Sequence, residues 1–241
     1  MNHQQRTHSP PRRLRAGTAS AVAVRTIACL LLSSSAIPGA GAPPCTPVAR
    51  LRYGGGGDWY SNQTSVVNLK HFANTHTTLV LCEGREPAVA LSDDALFSHP
   101  LLFATGHGKI QFTPRESTRL SEYLRSGGFL HVDDNFGLDE SFRAEIERIF
   151  PETPMVELPP SHPIFHIGFE FSDGLPKIHE HHGGPPHAYG LYLHNRLALF
   201  YSYNTDLSDG WEDAEVHGNS EAKRRAALQM GTNVLIYALT R

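Results

Sequence analysis

The sequence predicts an α/β fold: a flavodoxin-like three-layer domain with a mostly parallel central sheet and a C-terminal hairpin plus helix. Three observations carry that expectation. Short apolar runs alternate with segments of helical periodicity, in the rhythm strand, helix, strand, helix. Leu101-Leu102-Phe103-Ala104-Thr105 is apolar almost throughout, as a strand covered on both faces would be. Thr113-Pro114-Arg115-Glu116 then opens a helix with a hydroxyl at the cap, proline at the first position and glutamate three residues on, which is a capping box.

Taken in order, residues 48–53 alternate apolar and basic and read as a first strand with Arg50 and Arg52 on a solvated face. Gly54 to Gly57 follow as a flexible turn. A helix is expected over 65–74, a short strand over 89–91 and a helical turn over 93–97. After the apolar strand comes the capped helix, with Leu120, Tyr123 and Leu124 inward and Gly127 as its stop. A four-residue strand, 129–132, ends at Asp133-Asp134. Asp139 reads as the cap of a helix carrying Phe142, Ile146, Ile149 and Phe150 on one face, closed by Pro151. Residues 151–186 are rich in Pro, Gly and His and read as irregular loops. Strands at 189–194 and 197–203 flank Asn195-Arg196 as a hairpin. A last helix, 220–239, turns Ala226, Met230, Val234 and Tyr237 inward.

The first 42 residues differ in kind. They hold five arginines and no acid, then an apolar run over 26–37 and two small-x-small sites, Ser34-Ser35-Ala36 and Ala40-Gly41-Ala42. This pattern reads as a signal peptide over 1–42 with cleavage near 36–42, hence an exported, periplasmic or secreted chain. The alternative is a basic tail on a cytosolic protein. The apolar run is too short to span a bilayer, and one domain of unknown function is expected over 46–241. Cleavage leaves 16 basic residues against 24 acidic ones, near −8, which argues against nucleic acid as a partner. Only Cys45 and Cys82 survive it. They pair in an oxidising compartment or stay as free thiols, and the sequence leaves both open.

Four clusters could carry chemistry. Asp133 and Asp134 stand where a parallel strand stops, the edge at which open α/β sheets bind ligands, and read as a catalytic pair or as caps of the next turn. His107, between Gly106 and Gly108 at the end of the apolar strand, joins them as a proton carrier or metal ligand, or else bonds a loop. The histidine-rich loops offer His162 and His166, then His179, Glu180 and His181, as ligands for a divalent metal ion. His179 and His181 share one face if extended, with Glu180 opposite. The spacing is not the helical His-Glu-x-x-His of zinc peptidases. Lastly, Asp58, Trp59 and Tyr60 with Tyr203, Asn204, Asp206 and Trp211 mix aromatics with Asn and Asp, which suits a carbohydrate or another small polar ligand, and equally a buried aromatic cluster. The glycine run lacks Gly-Lys-Ser/Thr and is no phosphate loop.

Seven phrases in order resemble the bacterial domain-of-unknown-function family 4159. They are Leu51-Arg52-Tyr53-Gly54-Gly55-Gly56-Gly57-Asp58-Trp59-Tyr60, Thr105-Gly106-His107-Gly108, Gly127-Gly128-Phe129-Leu130, Asp139-Glu140-Ser141-Phe142, His162-Pro163-Ile164-Phe165-His166, Pro176-Lys177-Ile178-His179-Glu180-His181 and Asp209-Gly210-Trp211-Glu212. The resemblance implies a class I glutamine-amidotransferase-like domain near the trehalose-utilisation proteins, and by association an envelope protein partner. It implies no reaction. Amidotransferases place a nucleophilic Cys in the turn where this chain has Asp133 and Asp134, so glutamine hydrolysis by a thiolate is not expected. Two functions follow as expectations: an exported protein with a metal or acid/base site acting on a carbohydrate or small polar compound, or a non-catalytic envelope binding module.

Overall fold

The computed structural model describes residues 44–241, and the expected signal peptide lies outside them. Seven strands form one sheet in the order β2-β1-β3-β4-β7-β6-β5. β1 (Val48–Arg52), β2 (Ala88–Ala90), β3 (Leu101–His107), β4 (Phe129–Phe136) and β7 (Arg196–Tyr203) run parallel. β6 (His187–Leu193) pairs antiparallel with β7, and the two-residue β5 (Val156–Glu157) pairs antiparallel with β6. Helices α2 (Pro114–Arg125) and α3 (Asp139–Ile149) cover one face, burying Leu120, Leu124, Phe142 and Ile146 against Ala104, Leu130, Val132 and Leu199. Helices α1 (Ser65–His76) and α5 (Glu221–Thr240) cover the other, burying Val66, Leu69, Met230 and Val234 against Val48, Phe103, Phe129 and Phe200. A short helix α4 (Ala214–His217) precedes α5. The three-layer α/β architecture expected from the sequence is the one present, and among the described residues no helix is long and apolar enough to cross a membrane.

Local signals produce several element ends. Thr113 accepts from the Glu116 amide while the Glu116 carboxylate accepts from the Thr113 amide, so the capping box forms as read. Ser220 caps α5 by accepting from the Lys223 amide. The hairpin turn falls on His194 and Asn195, both left-handed, one residue earlier than expected. α3 begins one residue earlier than expected, with Leu138 at its cap: the Leu138 amide is satisfied by the carboxylate of Asp134, and Asp139 is already helical. The inward stripe of α5 is centred on Ala227 rather than Ala226.

Two strand readings are corrected. Arg50 is not solvated; it is 5% exposed, with Nε on Glu86 at 2.7 Å. Its other nitrogens donate to the carbonyls of Ser61 at 2.6 Å and Asn62 at 2.8 Å. Pairing a guanidinium with one carboxylate and several carbonyls offsets the large penalty of taking the charge out of water. Alternation on β1 cannot reveal this, because Glu86 lies 36 residues away. The glycine run, read as flexible, is laddered onto the chain beyond β3: the Gly57 amide donates to Lys109 and Gly54 bridges Gln111.

Cys45 and Cys82 form a disulfide beside the Thr46–Leu81 bridge, which resolves the alternative left open. The central strand also carries a buried polar row. His131 is sealed between Phe103, Phe200 and Trp211, and its Nε2 lies 3.0 Å from the Ser202 hydroxyl. That hydroxyl gives its proton to Asp133 at 2.7 Å, so His131 is the donor to Ser202 and is neutral. Burial holds the His131 pKa down at about 3. Burial pushes Asp133 up to about 6, against the pull of its hydrogen-bond donors.

Two outcomes are expected. Closing a loop across a separation of 37 residues stabilises the fold by about 4 kcal/mol in the chain-entropy model, so reduction should lower the urea-unfolding free energy by that order. The pH dependence has a sign fixed by the buried row. Neutral His131 opposes folding below the unfolded histidine value near 6.5, so stability falls with falling pH from there to about 3, by up to about 1.4 kcal/mol per pH unit. Asp133 acts oppositely between about 4 and 6, where the folded state holds the extra proton. The two slopes cancel in that window. His131→Gln removes one of them, and urea titrations at pH 4, 5 and 6 should then show stability falling as pH rises, relative to wild type.

Candidate metal centre

The backbone leaving β7 turns sharply at the carboxyl edge of the sheet. Asn204 and Asp206 both adopt left-handed φ of 57°, a conformation that Asn and Asp tolerate better than other non-glycine residues. A short 3-10 turn, Leu207–Gly210, follows. Asp133 holds it: one oxygen accepts from the Ser208 amide at 2.8 Å and the Ser208 hydroxyl at 2.7 Å, the other from Ser202 and, at 3.3 Å, from the Leu207 amide. The turn thereby presents Asp206 and Asp209 on the same side. The phrase Asp209-Gly210-Trp211-Glu212 is explained residue by residue. Asp209 faces the site, Trp211 fills the core with its indole N–H on the Ala227 carbonyl, and Glu212 accepts from the first amides of α1 at Thr64 and Ser65.

The loop before β6 brings His179 and His181 over these acids. His179 Nδ1 lies 3.3 Å from Asp209 Oδ2, and His181 Nε2 lies 3.5 Å from Asp206 Oδ2. One ligand atom from each of His179, His181, Asp206 and Asp209 falls within 4.8 Å of all the others. Metal–ligand bonds are about 2.0–2.2 Å, which puts two ligands of one ion at most about 4.4 Å apart, so small side-chain shifts would let all four surround one ion. Both carboxylates are 3% exposed. That of Asp206 accepts no hydrogen bond among the described residues, and His181 Nε2 lies 3.5 Å from its Oδ2. Burial first, then the charges of Asp133, Asp209 and Asp134, push Asp206 up to about 9. A buried acid without a donor, among like charges, is a place where a cation is favourable. The loop is fastened by Asn204, which donates to the carbonyls of Gly183 and Pro185, and by Lys177, which donates to Asn204 and to the His182 carbonyl.

Two more imidazoles flank the four donors. His107, at the end of β3, has its ring 6.3 Å from that of His181, and its Nδ1 lies 3.1 Å from Asp58 Oδ2. Asp58 also accepts from the His107 amide. Gly106 makes this contact possible, because a side chain there would collide with the Tyr53 hydroxyl and with Asp58. His217, on α4, places Nε2 3.6 Å from Asp209 Oδ1. Phe136, 44% exposed, lies against His181 and His182.

The structure separates the expected site residues. His179, His181, Asp206 and His107 come together, with Asp58 behind His107. Asp133 and Asp134 do not act as a pair, because β4 continues to Phe136 and its side chains alternate between faces. Asp133 is saturated on the α1/α5 side, while Asp134 serves the Leu138 amide and the Tyr201 hydroxyl on the other. His162 is spent on the Ile164 amide and the Tyr192 hydroxyl, and His166 on Glu170 and the Pro160 carbonyl, so neither joins the cluster. Glu180 is exposed and outside the cluster. Trp211 is fully buried and cannot stack on a ligand. Asn204 fastens the loop instead. Trp59 packs on the core and Tyr60 is exposed beside it, while Tyr203 lies beneath the Arg143 guanidinium. Asp209 as a metal ligand and His217 were not singled out; an isolated His between Val216 and Gly218 offers no pattern by which to find it.

No curated protein matches the chain. The model of the family described as "Domain of unknown function (DUF4159)" matches residues 47–239, which contain every residue of the cluster, and the chain belongs to that family.

Proposed function

We propose that this is an exported protein whose His179, His181, Asp206 and Asp209 hold one divalent transition-metal ion, used on a carbohydrate or other small polar compound. The observation that carries the reading is the donor set: two imidazoles and two buried carboxylates within 4.8 Å, one carboxylate without a hydrogen-bond donor. Two nitrogens and two oxygens suit zinc, iron or manganese better than calcium or magnesium, which favour all-oxygen sites. Such an ion polarises a bound oxygen or lowers the pKa of a bound water. With Nδ1 donated to Asp58, His107 keeps Nε2 as an acceptor beside the ion, suited to taking a proton. Phe136 offers an apolar face to a sugar ring next to His181.

Export is supported by the basic and apolar pattern of the first 42 residues and by the Cys45–Cys82 disulfide, which belongs to oxidising compartments. The amidotransferase-like likeness enters as architecture alone. Asp133 and Asp134 lie within β4, where the resemblance leads one to expect a nucleophile's turn, and both are engaged in hydrogen bonds. That observation favours the second reading, a metal-bearing envelope module that binds a sugar or a protein partner without turning it over.

Elemental analysis of the tag-free exported protein tests the site. Close to one zinc, iron or manganese per chain is expected, falling at least tenfold in His181→Ala and Asp206→Asn. A metal-free protein that binds no divalent ion by calorimetry would refute the reading.

A further inference from the structure

Six donors crowd this edge: His107, His179, His181, His217, Asp206 and Asp209. Sites as dense as this often take two ions about 3.5–4 Å apart with a carboxylate bridging them. Asp209 is the residue placed to bridge, with His179 on one oxygen and His217 beside the other. We propose, resting on the metal reading above, that Asn62 and Asn135 restrict the centre to a single ion by filling one oxygen of Asp209.

Asp209 Oδ1 accepts from Asn62 Nδ2 at 2.8 Å and from Asn135 Nδ2 at 3.0 Å. A carboxylate oxygen has two lone-pair directions, and both are occupied. Among the described residues the hydrogen-bond partner of Oδ2 is His179, at 3.3 Å. A bridge with one oxygen on each ion requires a free lone pair on both, so Asp209 has only Oδ2 to offer an ion. His217 stands 3.6 Å from the filled oxygen and cannot recruit a second ion through it.

Neither amide is free to turn away. Asn135 is 1% exposed, and its Oδ1 accepts from the Thr105 hydroxyl at 2.9 Å, which aims Nδ2 at Asp209. The chain position of Asn62 is fixed by its carbonyl, which takes Arg50 at 2.8 Å and the Ser65 hydroxyl at 2.6 Å, while Glu86 anchors Arg50 from behind. Asn62 Nδ2 also reaches the Ser208 hydroxyl at 2.8 Å, on the turn that Asp133 holds. Asn62 and Asn135 are therefore positioning residues. They decide which oxygen of Asp209 meets the ion, and partners of this kind commonly contribute 10- to 100-fold to metal affinity.

The experiment is titration of the metal-free chain with Zn²⁺ by calorimetry, with Co²⁺ absorption as a report on the ligand set. Wild type should take one ion per chain. Asn62→Ala and Asn135→Ala should each bind that ion about 10- to 100-fold more weakly, with a shifted Co²⁺ spectrum, and the double variant, which frees Oδ1, should take up a second ion. Thr105→Val keeps the shape of the site while removing the hydroxyl that orients Asn135; it should weaken binding in the same direction, and it covers the case in which an Asn variant fails to fold. Melting of each metal-free variant separates loss of the fold from loss of the ion. Two ions bound per wild-type chain would overturn the proposal, as would folded variants with unchanged affinity and spectrum. One ion with unaltered variants removes this inference alone, whereas no ion in the wild type removes the metal reading with it.

Discussion

The Asp133 carboxylate is the contact on which the functional edge depends. It ties the end of β4 to the turn after β7, accepting two hydrogen bonds from Ser208 and one from Ser202. Without that anchor the left-handed backbone at Asn204 and Asp206 would have little to hold it, since each such residue is strained by about 1–2 kcal/mol. Everything downstream inherits its position from this turn: Asp206 and Asp209 at the surface of the site, Trp211 in the core, Glu212 at the first amides of α1. The aspartate most suggestive of chemistry in the sequence is thus a structural anchor, and the acids it positions, Asp206 and Asp209, are the ones that face His181 and His179.

The cluster is also an electrostatic liability. Asp133, Asp134, Asp206 and Asp209 are all at most 4% exposed and lie near one another. Asp133 relieves part of the repulsion by accepting several hydrogen bonds, and Asp134 and Asp209 by accepting others. Asp206 accepts no hydrogen bond among the described residues, and burial with the neighbouring carboxylates pushes it up to about 9 against the pull of Lys177. A carboxyl so placed holds its proton at neutral pH, and His181 on the overlying loop lies 3.5 Å from it. In the proposed metal reading, a bound cation would take the place of that proton.

How much of this was legible follows from the range of each signal. The capping box at Thr113, the buried strand at Leu101 and the three-layer rhythm are written in neighbouring residues, and they were readable. Arg50 was misread because alternation describes a strand face and not what covers it, and Glu86 comes from a distant loop. Adjacent aspartates looked like a pair because the strand was expected to stop four residues early; one more period of alternation sends them to opposite faces. His162 and His166 have the same local texture as His179 and His181. What separates them is which loop crosses the carboxyl edge, a property of topology that spacing does not encode. His217 joins through α4, a helix with no buried residue and so no periodic trace.

The sheet order has a consequence for when the site comes into being. β7 inserts beside β4, and its ladder with β4 joins residues about 70 apart, whereas β3 and β4 are joined across a single helix. Contacts between distant segments form late because their loop must close first. Asp206 and Asp209 follow β7, and α5, which seals Trp211, follows them. The four donors therefore converge only once nearly the whole chain has emerged and its last helix has docked. An ion held there as proposed would be captured at the end of folding, in the compartment where folding finishes, so that compartment's supply would set its identity as much as the donors.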